Sequence, residues 1–273
     1  MTNGKWLDFR MVNDFSEVKP FYRQLFAERR IRNIYKMRNW EEKHHPEFLN
    51  ERQMYFSPPN ELNDPFDIHR PVRFDVSVIE TPEFLQRMID TVPAARGINP
   101  GNDAKAYAEN ELEQIRKGPQ RYFLKNYEDL VNSEEYNKKV GVLSLTTDPV
   151  NEQTWGYYGG GLKGFAVGFD PMKLCAEIFS EGQFVEYTKA IPVSNIINAS
   201  LSEQSRLMFQ KHPKWQFENE FRFVRFMDNE KRRFHYYNAE IVNEIILGVR
   251  IKDQVREQII PVIQDNFPHV KVL

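Results

Sequence analysis

The chain has 273 residues, with 37 Lys plus Arg against 39 Asp plus Glu and a formal charge of −2. That balance excludes a protein that coats polyanions, because sequence-independent nucleic-acid binding needs a basic excess. Aromatic residues make up 14% of the chain, which excludes a disordered polypeptide.

A chain of this length buries about three quarters of its unfolded surface on folding. One domain over residues 1–273 is expected. Cys175 is the lone cysteine, so no disulfide forms within the chain, which fits a reducing compartment. The opening segment MTNGKWLDFRMVNDF has no apolar signal core, and no run approaches the ~18 apolar residues of a membrane helix. A cytoplasmic protein with no membrane partner is the expectation.

Asp14 or Ser16 caps a helix over 14–30, with Pro20 in its first turns and Phe21, Leu25 and Phe26 on one face. Residues 31–38 read as a strand, His44–Arg52 as a short helix and Gln53–Ser57 as a second strand. The segment SPPNELNDPFD at 57–67 is a turn-rich loop. Residues 70–78 alternate as a strand. Residues 82–138 are polar and helical in pattern, with a break at Arg96–Gly101. They predict a helical insertion packed on the sheet or acting as a lid, because so few aliphatics would bury little core as a separate domain. Phe84, Leu85, Met88 and Ile89 give its first helix an apolar side.

Strands return at Val140–Thr146, Lys163–Asp170, Gln183–Tyr187, Glu220–Met227 and Glu244–Val249, with helices at 171–180, 202–211 and 252–265. The expected class is α+β (mixed α/β): small, largely antiparallel split sheets with flanking helices and the helical insertion.

Gly159, Gly161 and Gly164 satisfy G-x-G-x-x-G, but a strand-like segment follows where a helix is required, so they read as a tight turn. Leu162-Lys163 after Gly161 excludes a Walker loop. The six histidines show no ligand spacing, and no metal is expected. Cys175 reads as a small core residue.

Four segments remain as carriers of chemistry. In WQFENEFRF at 215–223, a strand would place Glu218, Glu220 and Arg222 on one face and Phe217, Phe221 and Phe223 on the other. Two carboxylates roughly 7 Å apart can orient a hydroxyl and stabilise charge. The alternative is a solvent-facing ladder. Trp155, Tyr157 and Tyr158 beside the glycines either stack on a planar ring or fill the core. Arg38, ending the Tyr35-Lys36-Met37-Arg38 segment, either clamps a diphosphate or lies on the surface. Asn63-Asp64-Pro65-Phe66-Asp67 is a substrate loop or an Asx-turn.

The segments IYKMR at 34–38, MYFSPPNELNDPFD at 54–67, VLSLTTDPVNEQTWGYYGGGLKGFAVGFD at 142–170, WQFENEFRF at 215–223 and EIILGVRI at 244–251 occur in that order. Together they resemble the bacterial domain-of-unknown-function family numbered twenty-nine seventy-one. The chain departs from the family's pattern at Gly156 and the glycine run, where a short polar residue and a His are usual. The layout is similar to that of ADP-ribosyltransferase folds, which bind nicotinamide adenine dinucleotide (NAD) between two small sheets. That likeness implies Glu220 as catalytic carboxylate and Glu218 as its helper. It implies NAD contacts from Arg38, Tyr35, Trp155, Tyr158 and Arg222, and a substrate loop carrying Asn63 and Asp64. A small anionic ligand or nucleotide is the implied partner. Two alternatives stand beside this. One is a non-catalytic binding or sensor protein of a phage-defence type system. The other is a metal-dependent nuclease or phosphohydrolase using Asp64, Asp67, Asp148, Glu218 and Glu220.

Overall fold

A computed structural model describes residues 12–95, 102–196, 205–228 and 230–273. The break expected at Arg96–Gly101 lies outside these residues. No described helix is long and apolar enough to cross a membrane.

The fold is α+β. Its strands are β1 (Ile34–Arg38), β2 (Gln53–Tyr55), β3 (Arg73–Asp75), β4 (Val140–Thr146), β5 (Phe165–Phe169), β6 (Glu181–Phe184), β7 (Glu186–Tyr187), β8 (Val193–Asn195), β9 (Gln210–Lys211), β10 (Glu220–Phe226), β11 (Phe234–Tyr236), β12 (Val242–Leu247) and β13 (Lys271–Val272). Seven of them form one sheet in the order β13-β12-β5-β1-β4-β10-β6, and the rest pair as three two-stranded ribbons. Within the large sheet every pairing is antiparallel except β12 with β13.

The two faces of the sheet differ in chemistry. Leu143, Leu145, Phe165, Val167, Phe169, Phe221 and Phe223 alternate onto one face and form the main core. Helices Phe15–Glu28, Pro171–Ile178 and Asp253–Asn266 cover it through Tyr22, Phe26, Leu174, Cys175, Ile259 and Ile263. The first of these starts at a capping box, with Asp14 accepting from Ser16 N–H and Glu17 reaching back to the Asp14 N–H. The opposite face carries Glu220 and Arg222, and beside them a small cluster of Met37, Trp155 and Ala166 under the helix Glu152–Tyr158.

The insertion contains helices Pro82–Ala95, Asn102–Arg116, Pro119–Val131 and Glu134–Lys139. Phe84 and Met88 close on Ala108, Leu112 and Ile115, so the apolar side of the first helix is used inside the insertion.

Three expected elements differ. The helix expected over 202–211 is a single turn at 205–207, followed by strand β9, which pairs with β7. The strand expected over 70–78 shrinks to β3, paired with β8. WQFENEFRF does not enter its strand until Glu220. Pro213 opens a 3₁₀ turn over Pro213–Glu218, and Asn219 ends it in the left-handed region at φ 42°. The glycine run is a tight turn before β5, with Gly160 and Gly161 at φ 59° and 67°, which favours glycine.

Candidate functional site

Strand β1 pairs with β5 over five residues but with β4 at one registered pair, Tyr35↔Thr146. β4 in turn pairs with β10 over seven. The sheet is therefore a four-stranded and a three-stranded half joined at one point. Beyond that point β1 and β4 part, and a small cleft opens between them. Lys36 and Met37 from β1, Ser144 and Thr146 from β4, and Tyr158, Glu218 and Glu220 line it.

Glu220 and Arg222 are side by side on β10, and Arg222 is fully buried. Every N–H of its guanidinium is taken. Nε and Nη2 donate to the Glu220 carboxylate at 2.7 and 3.0 Å. Nη1 and Nη2 donate to Asp67 at 2.8 and 2.7 Å, and Nη1 also reaches the Met208 carbonyl. The Lys211 amine sits among three carboxylates, 2.5 Å from Glu218, 3.2 Å from Asp67 and 3.4 Å from Glu220. The Tyr158 hydroxyl donates to Glu218 at 2.5 Å and accepts from Asn63 Nδ2 at 2.8 Å.

The two glutamates are driven apart in acidity. Burial would raise Glu220, but Arg222 and Lys211, with hydrogen bonds from Arg222 and Ser144, hold its carboxyl well below the usual carboxylate range. Burial and the neighbouring Glu220 charge raise Glu218. Burial works against charge on Lys211, yet Glu220 and Asp67 hold its pKa above the usual value. One wall thus carries a strongly acidic carboxyl beside a more basic one, a pairing suited to divided roles.

These shifts set a pH dependence. A carboxyl lowered in the fold adds stability that is present above its unfolded value of about 4.3 and is lost as pH falls toward the folded value. The raised Glu218 acts in the opposite sense, stabilising where it is protonated and losing that contribution as pH rises through its folded value. Acid unfolding followed by tryptophan fluorescence should show wild type weakening below about pH 4. Glu220→Gln should show a shallower decline.

The residues singled out in the sequence fall partly at this cleft and partly elsewhere. Glu218, Glu220, Tyr35 and Tyr158 line it, and Asn63 reaches it through Tyr158. Burial and a hydrogen bond to Glu244 push the Tyr35 phenol up to about 12, so its hydroxyl is committed away from the cleft. Asp64 makes the Asx-turn, accepting from the Phe66 N–H at 3.2 Å. Arg222 is corrected, because a guanidinium with every donor used has none for a cofactor. Arg38 is also corrected. It does not line the cleft, one of its N–H groups donates to the Met37 carbonyl, and the guanidinium lies 5.6 Å from the Phe48 ring.

Trp155 is the third correction. It is 3% exposed, packed with Met37 and Ala166, and its indole N–H donates to the Pro149 carbonyl at 2.7 Å. Trp155→Ala should lower the unfolding free energy by about 3–5 kcal/mol in urea titration. A stacking residue at a ligand site would leave stability nearly unchanged. The exposed stacking surface is instead Tyr157 on Phe217, with centroids 5.7 Å apart and planes at 23°.

Lys36, Lys211 and the anchoring role of Asp67 were missed. Lys211 lay in a predicted helix, and strand alternation directs Lys36 away from Tyr35 and Met37. Among the described residues no group of three or more His, Cys, Asp or Glu is placed to hold a metal ion. Asp67, Glu218 and Glu220 turn onto Lys211 and Arg222, while Asp148 accepts from Val150 N–H in its own turn.

Residues 154–223 match the family model described as a protein of unknown function (DUF2971). That stretch carries Tyr158, Lys211, Glu218, Glu220 and Arg222. No curated protein and no solved structure matches the chain.

Proposed function

We propose that this chain is an ADP-ribosyltransferase-like enzyme that breaks the N-glycosidic bond of NAD in the cleft between β1 and β4. The observation that carries the reading is the ionised Glu220 carboxylate fixed at the cleft wall by Arg222. When that bond breaks, its electron pair leaves with the nicotinamide ring nitrogen, and positive charge develops on ribose C1′ and the ring oxygen. A carboxylate that is already oriented stabilises this charge without reorganising at the moment of reaction. Glu218, a carboxylate made more basic by burial and the Glu220 charge and held by Tyr158 and Lys211, is the group to take the proton from an attacking hydroxyl. The acceptor is water or a hydroxyl on a second molecule.

The test is nicotinamide release from NAD by the purified chain, followed chromatographically, with and without lysate as a source of acceptors. Release is expected. Its absence under both conditions overturns the reading.

A further inference from the structure

The cluster behind the cleft holds three cations, and their situations differ. Arg222 has every donor engaged, and Lys211 has three carboxylate neighbours. Among the described residues Lys36 has one hydrogen-bond partner, the Ser144 carbonyl at 2.7 Å, and no carboxylate within salt-bridge distance. An ammonium carries three donors, so two remain for the cleft that Lys36 lines.

Its position follows from the parted strands. By alternation Lys36 belongs on the side of Ile34 and Arg38. Because β1 and β4 separate after Tyr35↔Thr146, the amine can bridge the gap to Ser144 on β4. The charged groups that face it are Arg38 from β1, Glu220 from β10, Glu218 from the preceding turn and Lys211 from β9. Both glutamates are already committed, Glu220 to Arg222 and Glu218 to Lys211 and Tyr158. Lys36 is left as a buried amine without an anion of its own.

We propose that Lys36 anchors a diphosphate-bearing nucleotide in this cleft, the role the sequence had suggested for Arg38. The inference rests on the NAD reading of the cleft and deepens it by naming the group that reads the phosphates. Burial, then Arg38, lowers the Lys36 pKa well below that of a free lysine. Phosphate oxygens reverse both effects by supplying negative charge and hydrogen-bond acceptors.

The experiment is calorimetric titration of ADP-ribose, a ligand that needs no turnover, into wild type, Lys36→Met, Lys36→Gln and Lys36→Arg. Each titration is run in the same buffer and at the same pH. Wild type should bind. Lys36→Met and Lys36→Gln should bind at least tenfold more weakly, with Lys36→Arg recovering most of the loss. Nicotinamide riboside, which lacks the diphosphate, should be insensitive to all three changes. Lys36→Gln retains a donor for Ser144, and circular dichroism confirms that each variant is folded.

Unchanged ADP-ribose affinity in the Met and Gln variants overturns the proposal. So does the absence of any binding by wild type. The two readings fail separately. Lys36-dependent ADP-ribose binding without nicotinamide release removes only the transferase, whereas nicotinamide release with Lys36-independent binding removes only the anchor.

Discussion

Glu220→Gln is expected to slow nicotinamide release at least a hundredfold, on the scale of losing one preorganised electrostatic contact to a transition state, about 10²–10³. The loss should fall on kcat with KM little changed, because the carboxylate acts on charge that exists only as the glycosidic bond breaks. The substitution keeps the shape of the side chain but removes one of the three carboxylates facing Arg222 and Lys211. Some stability is therefore lost as well. The assay is run where circular dichroism shows the variant folded, so that slow turnover is not mistaken for unfolding. Undiminished release would remove Glu220 from the chemistry.

Arg222→Met should destabilise the fold by about 3–5 kcal/mol, measured by urea denaturation at neutral pH. The reason is the pair of carboxylates left behind. Asp67 and Glu220 are each 2% exposed, and with Arg222 gone Lys211 alone faces them. A solvent-facing ladder, the alternative that the sequence allowed, would lose under ~1 kcal/mol. Adding Asp67→Asn to Arg222→Met should recover part of the loss, since the second change removes one of the stranded charges. A change below about 1 kcal/mol in the single variant would show that the network is not a buried ion cluster.

The contrast between these readings marks where the sequence stops being informative. Local rules found the capped first helix, the apolar β4 and the glycine turn, because a cap, a strand of buried residues and a positive φ each depend on adjacent residues. They also grouped Glu218, Glu220 and Arg222, although Asn219 reaches the grouping by a left-handed turn rather than by strand alternation. What surrounds that group is non-local. Asp67 meets Arg222 from 155 residues away, and nothing near position 222 signals it. Without Asp67 and Lys211 in view, a charged residue on a strand reads as solvent-facing.

Arg38 and Lys36 fail for a related reason. Alternation assigns faces correctly only where the sheet is continuous. Beside a gap, a long flexible side chain can reach across to the next strand, and Lys36 reaches the Ser144 carbonyl on β4. Trp155 shows the reverse error, where an aromatic next to glycines suggested an open platform although its indole is spent on Met37, Ala166 and the Pro149 carbonyl.

The single registered pair between β1 and β4 has a consequence for the molecule as a whole. A ladder with one rung has almost no cooperativity of its own, so the spacing of the two half-sheets is set by the core beneath them. A molecule that bridges Lys36 on one half to the charged group on the other would take the place of the missing backbone rungs. Occupancy of the cleft and cohesion of the sheet then become two aspects of one equilibrium, and a ligand that fits stabilises the fold by closing the seam.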